Sequence, residues 1–212
     1  MFARLALITT LLTTGAASAD NDSLFTLGLG TAVGVNRSTP LGGTAETTFT
    51  TELSLKIKAL YVFGFEFSYA PTDKVDEASP LVFDSTYRLS GLLYLVPTSP
   101  VSFYLKGGLG GGTLEDVFAI DKATTNYHAG AGFDIEAGDN LVIGLEYLLL
   151  IPGVAGVRDT LSTYANEEIK RYQSRDENKA EPVSTASAGT PAISDFISPE
   201  NFRVTVSARW YF

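Results

Sequence analysis

A chain of 212 residues with a formal net charge of −9 excludes binding to nucleic acid or another polyanion through bulk charge. With no cysteine it has no disulfide framework, so stability must come from hydrogen-bond closure and burial, and its 20 Gly, 13 Phe and 10 Tyr favour β-rich structure. No run approaches the ~20 apolar residues of a membrane helix, since the best, Leu141 to Ile151, is interrupted by Glu146.

Residues 1–19 contain Arg4, an uncharged run from Leu5 to Thr14, and Ala17-Ser18-Ala19 before Asp20. That is the layout of a secretory signal peptide with an A-x-A cleavage site, leaving residues 20–212 as a single domain. Eight segments with period-two alternation then follow. The first puts Phe25, Leu27, Leu29, Val33 and Val35 on one face and Gly28, Gly30, Ala32 and Gly34 on the other. The second sets Phe49, Leu53, Leu55 and Ile57 against Glu52, Ser54, Lys56 and Lys58, and the third sets Phe63, Phe65, Phe67 and Tyr69 against Gly64, Glu66 and Ser68.

In the fourth, Phe83, Tyr87, Leu89, Leu93 and Leu95 oppose Asp84, Thr86, Arg88, Ser90 and Tyr94. The fifth has Val101, Phe103, Leu105 and Leu109 opposite Tyr104 and Lys106, and the sixth has Tyr127, Ala129, Ala131, Phe133 and Ile135 opposite His128, Asp134 and Glu136. In the seventh, Leu141, Ile143, Leu145, Tyr147, Leu149 and Ile151 oppose Glu146. The eighth, Phe202 to Phe212, alternates Val204, Val206, Ala208 and Trp210 with Arg203, Thr205, Ser207 and Arg209.

All twelve charged residues of these segments, six acidic and six basic, fall on the polar face. One charge on a lipid-facing surface at mid-depth would cost ~2–4 kcal/mol. A soluble ligand-binding barrel requires the opposite sidedness. Short turns near Ala59–Tyr61, at 97–100 and at 138–140 alternate with longer links at 36–46, 71–82, 113–124 and 152–200. The pattern predicts an all-β, eight-stranded antiparallel up-and-down transmembrane β-barrel, with both termini on the periplasmic side.

The stretch Asn126 to Tyr147, NYHAGAGFDIEAGDNLVIGLEY, and the aromatic-terminated FRVTVSARWYF resemble the small eight-stranded outer-membrane proteins. That class contains the membrane domain of outer-membrane protein A and the opacity, adhesin and porin-like small barrels. The resemblance implies a bare barrel in the cell outer membrane of a Gram-negative cell envelope. It also implies that Trp210 and Phe212 form the carboxyl-terminal signal read by the barrel-assembly machinery.

An eight-stranded barrel is just wide enough inside for side chains to fill it, so its charges must pair. The expected network is Glu52, Lys56, Glu66, Arg88, Lys106, Glu146, Arg203 and Arg209, with Lys56 and Glu66 facing each other across the turn near residue 61. The rival is a gated pore in which Glu52, Arg88, Lys106 and Glu146 exchange partners. His128, the only histidine, has Gly130 rather than a serine two positions on, and is expected at the rim, bonded to a carboxylate or water. Gly107, Gly108, Gly110, Gly111 and Gly112 lack a following G-K-[ST] and no helix is expected there. They read as strand glycines covered by neighbouring aromatics.

The links at 71–82 and 113–124 each net −2, and 152–200 nets −3. These acidic loops are a solvated surface or a place for divalent-ion bridging to anionic surface lipid. Link 152–200 exceeds the ~12–15 residues of ordinary loops. Leu161, Ala165, Ile169 and Tyr172 give it a short helix with one apolar face, followed by a flexible return through Pro182 to Pro191.

The expected function is therefore non-enzymatic: a barrel with a charge-paired lumen that serves envelope structure and surface interaction through its loops. The alternative is a narrow porin-like passage for small or hydrophobic solutes. No cofactor or metal is expected. The expected partners are outer-membrane lipid and lipopolysaccharide, the assembly machinery and a surface ligand at 152–200, not nucleic acid.

Overall fold

The computed structural model describes residues 25–39, 44–73, 81–96, 100–120, 122, 124–177 and 196–212. The expected signal peptide and the Pro182 to Pro191 return lie outside the described residues.

Eight antiparallel strands close into one barrel in chain order. They are β1 (Phe25–Ser38), β2 (Glu46–Ala59), β3 (Phe63–Tyr69), β4 (Tyr87–Val96), β5 (Val101–Gly111), β6 (Asn126–Glu136), β7 (Leu141–Ile151) and β8 (Phe202–Tyr211). Closure comes from β8 pairing with β1, from Gly28 opposite Tyr211 to Arg37 opposite Phe202. Every strand thus has a neighbour on both sides and no edge is left unpaired.

Period-two alternation then sorts the side chains. Phe25, Phe49, Leu53, Phe65, Leu105 and Val206 stand exposed on the outer wall, while Glu52, Lys56, Glu66, Arg88, Lys106, Arg203 and Arg209 are buried inside. This is the reverse of a soluble fold, in which so large an apolar face would be turned inward.

The short turns lie at one end of the barrel. In the β2–β3 turn, Leu60 and Tyr61 both adopt left-handed backbone, with φ of 54° and 61°. Two successive positive φ values match the right-handed twist of the flanking strands and permit a tight reversal. The long links and two helices, α1 (Leu114–Phe118) and α2 (Val154–Glu177), lie at the other end.

Several boundaries differ from those read in the sequence. β1 and β2 extend to Ser38 and from Glu46, because their ladder continues through Arg37 opposite Thr47. β4 starts at Tyr87, so Phe83 is not a lipid-facing strand residue. It packs with Leu81, Leu150 and Phe196 in a buried cluster over the barrel mouth.

A helix does begin after the glycine run. Thr113 caps α1 by accepting from the Asp116 amide, and Asp116 returns the bond to the Thr113 amide. Such a reciprocal box satisfies two amide donors that the first helical turn leaves free.

α2 is a 24-residue helix rather than a short one. Ala155 and Thr160 are buried, and Val157 and Leu161 pack on the mouth cluster. Ala165 and Ile169 are exposed, so the expected apolar face is covered only at Leu161, and the Tyr172 side chain lies outside the described residues.

Candidate functional site

The interior is built in tiers, each set by strand register. Next to the short turns, Leu92, Tyr94 and Tyr104 form a buried cluster. The Tyr94 and Tyr104 rings are 5.5 Å apart, and the Lys58 ammonium lies 4.6 Å from the Tyr94 ring. β1 makes room for bulk here: a Cβ at Gly28 would lie 2.7 Å from the Tyr211 ring.

Above this sits an ionic tier centred on Glu66. Its carboxylate accepts from Lys106 at 2.7 Å and from Arg209 at 3.3 Å, and lies 3.6 Å from Lys56. Lys106 also donates to Glu146 at 2.9 Å, and the Tyr104 hydroxyl donates to the same carboxylate at 3.2 Å. Asp134 accepts from Lys56 and from Arg209, each at 3.1 Å. Lys56 and Glu66 are indeed cross-strand neighbours. The better partner of each is elsewhere, however, because side chains in so narrow a barrel reach the opposite wall.

A second ionic tier lies towards the loops. Arg88 and Arg203 share one Glu52 oxygen, at 2.6 and 2.7 Å. Arg203 also donates to Thr50 at 2.9 Å and to Asp73, which lies 3.7 Å from Arg88. All eight network residues read from the sequence face the lumen, divided between these two tiers.

Asp73 was missed, since it sits in a link where alternation carries no information. Its acidic link, 71–82, reads in the sequence as a solvated surface or a place for divalent-ion bridging to anionic surface lipid, yet Asp73 turns inward and is buried. The twelve-charge count contained Asp134, but the expected network did not. Nothing in the spacing indicated that Lys56 and Arg209 would converge on it.

His128 is buried rather than at the rim, and the partner of its ring is a serine rather than a carboxylate. Its Nε2 lies 2.8 Å from Ser90 Oγ, across β5 from it. Ser90 and His128 both pair with Gly108, which brings them together although they are 38 residues apart. The serine absent from the local sequence is therefore supplied by β4.

Neither Gly110, which faces inward beside Ser85 and Asn126, nor Gly107, which is exposed on the outer wall, has an aromatic ring among its nearest neighbours. A Cβ at Gly110 would meet Asn126 Oδ1 at 2.5 Å, and one at Gly107 would have 3.7 Å of space to the His128 carbonyl. Among the described residues no cluster of three or more His, Cys, Asp or Glu side chains is arranged to hold a metal ion.

Segment 81–86 is drawn down on the upper tier. Asn36 donates to Asp84 at 3.1 Å and to Asp73 at 3.2 Å, and Thr86 donates to the Asp73 carbonyl at 2.9 Å. Ser85 and Asn126 bond at 2.6 Å, and Asn126 donates to the Asp84 carbonyl at 2.8 Å.

Burial and the adjacent Asp73 carboxylate push Asp84 up to about 6, against the pull of Arg203, Arg88 and the Asn36 amide. A raised carboxyl pKa means the folded state holds a proton that the unfolded chain releases near pH 4. Stability should therefore fall as pH rises from about 4 through 6, by on the order of 2 kcal/mol. Asp84→Asn should flatten that slope, measured as urea midpoints at pH 4.5 and pH 7.5. An unchanged difference between the two pH values would remove Asp84 as its source.

Trp210 lies on the outer face opposite Leu29 and Leu141, and the Phe212 amide donates to the Leu27 carbonyl at 2.9 Å. The last residue is thus tied to the first strand.

No family model matches the chain, and no curated protein matches it. Among solved structures, it is similar to neisserial surface protein A at 14% identity and a TM-score of 0.42, covering 90% of this chain and 98% of that one. It is similar to the attachment invasion locus protein of Yersinia pestis at 14% identity and a TM-score of 0.42, covering 89% and 98%. It is similar to the outer membrane protein OprG from Pseudomonas aeruginosa at 10% identity and a TM-score of 0.36, covering 89% and 95%.

Proposed function

We propose that the protein is a non-enzymatic outer-membrane barrel with a closed lumen, a rigid scaffold that contributes to envelope structure and presents its long links at the surface. The observation that carries this reading is the sidedness of the wall: apolar side chains outward on every strand, with Glu52, Lys56, Glu66, Arg88, Lys106, Asp134, Glu146, Arg203 and Arg209 buried inside. Only a hydrocarbon surround makes that arrangement favourable, because in water the exposed face would drive aggregation.

The filled interior supports closure. Between the aromatic cluster and the mouth cluster stand two tiers of paired charge, and a solute passing through would have to separate buried ion pairs. The Ser90 and His128 pair lies within that packing, so lipid substrate has no path to it. Among the described residues no acidic side chain bonds the imidazole Nδ1, which is where nucleophile activation uses an orienting group.

In this reading Trp210 and Phe212 serve as the assembly signal, outer-membrane lipid and lipopolysaccharide surround the wall, and a surface ligand engages the 152–200 link. Purified protein in a planar bilayer should show no stable conductance steps; regular steps would favour the passage instead. Deleting Tyr164 to Ser194 and bridging with a short Gly/Ser turn leaves Val157, Leu161 and Phe196 in place. Heat-modifiable gel mobility should persist, since loop length contributes little to stability, while whole-cell surface binding is lost. Unchanged binding would move the activity to another link.

A further inference from the structure

Helix α1 is placed on the outside of the barrel, not over its mouth. Alternation along β5 points Leu105, Leu109 and therefore position 111 outward. There the strand carries glycine, and a Cβ on Gly111 would lie 2.7 Å from Asp116 Cβ. The Thr125 hydroxyl, just ahead of β6, donates to the Asp116 carbonyl at 2.7 Å and holds the helix against the wall.

Strand register fixes its height. Tyr69, Tyr87 and Gly111 form one row across β3, β4 and β5. Tyr69 and Tyr87 pack with ring centroids 5.1 Å apart, and Tyr127 lies outward on the next strand. This row is an aromatic girdle of the kind that marks the boundary between hydrocarbon and headgroups. α1 occupies the place where the girdle lacks a side chain.

Two of the three side chains that α1 turns away from the wall, Leu114 and Phe118, are apolar, the third being Glu115, which Lys122 neutralises. Phe118 is 71% exposed, Ile120 59% and Leu114 48%, comparable with the outer-wall residue Phe65 at 59%. Leu114 and Phe118, four apart, share a helix face, whereas Val117 is buried against the barrel. Lys122, the one basic residue of the link, is already paired with Glu115 at 2.8 Å and Asp116 at 3.3 Å.

We propose that α1 is an interfacial foot: Leu114, Phe118 and Ile120 insert into the outer leaflet at the headgroup boundary, extending the apolar wall of the barrel onto the lipid surface. The inference rests on the reading of the barrel as a membrane protein. Its occupant is lipid because the patch is continuous with the lipid-facing wall and level with the girdle. Attachment is apolar rather than ionic, since the only cation there is engaged.

The chain has no cysteine, so single cysteines can be spin-labelled without background. Phe118→Cys and Ile120→Cys report on the foot, Phe65→Cys on the wall and Thr163→Cys on the exposed part of α2. Each variant is folded into phosphatidylcholine vesicles and into vesicles containing phosphatidylglycerol, with folding checked by heat-modifiable mobility. Collisions with oxygen and with a water-soluble nickel chelate are then compared.

Labels at 118 and 120 should show oxygen contact exceeding nickel contact, as at 65 and opposite to 163, in both lipid mixtures and unchanged by 0.5 M salt. If 65 reads as lipid while 118 and 120 both read as water, the foot is overturned and the barrel reading stands. If 65 also reads as water, both fall.

Discussion

Glu66→Ala should be the most damaging single substitution inside the barrel, costing ~3–5 kcal/mol of unfolding free energy. The carboxylate faces Lys106, Arg209 and Lys56, all buried, so its loss leaves three buried cations with one counter-charge fewer. Lys56→Ala should cost less. It leaves Asp134 with Arg209, and Glu66 with Lys106 and Arg209.

Urea unfolding in lipid vesicles measures both variants, and the double variant gives their coupling. Equal costs for the two single changes would mean that Glu66 is not the hub of its tier.

Leu93→Arg should abolish efficient insertion. Leu93 stands outward beside Phe63 and Leu105, and a guanidinium on the lipid face costs ~2–4 kcal/mol near the bilayer midplane. Thr163→Arg, on the exposed side of α2, should fall within about 0.5 kcal/mol of wild type. Folded fraction by heat-modifiable mobility in vesicles measures both. Equal folded fractions for Leu93→Arg and Thr163→Arg would show that the wall around Leu93 does not contact hydrocarbon.

What the sequence disclosed follows from what alternation can encode. Period two assigns each strand residue to one face, so Lys56, Glu66, Arg88 and Arg209 could be placed in the lumen before any contact was known. Facing is not pairing. Which opposite strand a long side chain reaches depends on barrel diameter and register, and the Asp134 contacts with Lys56 and Arg209 were not legible for that reason.

Links carry no dependable period, which hid Asp73 beneath the mouth, and a chance alternation ahead of β4 put Phe83 on the outer wall rather than in its apolar cluster. The Ser90 and His128 pair was obscured differently, because its two halves meet only through the shared neighbour Gly108. By contrast, α1 was legible in the sequence. Thr113 and Asp116 have the spacing of a capping box, though with Asp in place of the usual Glu or Gln and with a run of strand glycines just ahead of it.

The two arginines of β8 have a consequence for the order of assembly. Before that strand docks, the buried interior carboxylates among the described residues, Glu52, Glu66, Asp73, Asp134 and Glu146, face the buried cations Lys56, Arg88 and Lys106, with Lys58 half-buried on the Tyr94 ring. β8 delivers Arg203 to Glu52 and Asp73, and Arg209 to Glu66 and Asp134. The strand that seals the seam therefore also neutralises the interior. A slip of one residue would turn both guanidinium groups into lipid, and a slip of two would carry them ~7 Å along the strand, out of reach of their carboxylates. The register of the seam and the charge balance of the interior are thus one and the same arrangement, since this alignment brings both guanidinium groups to their carboxylates.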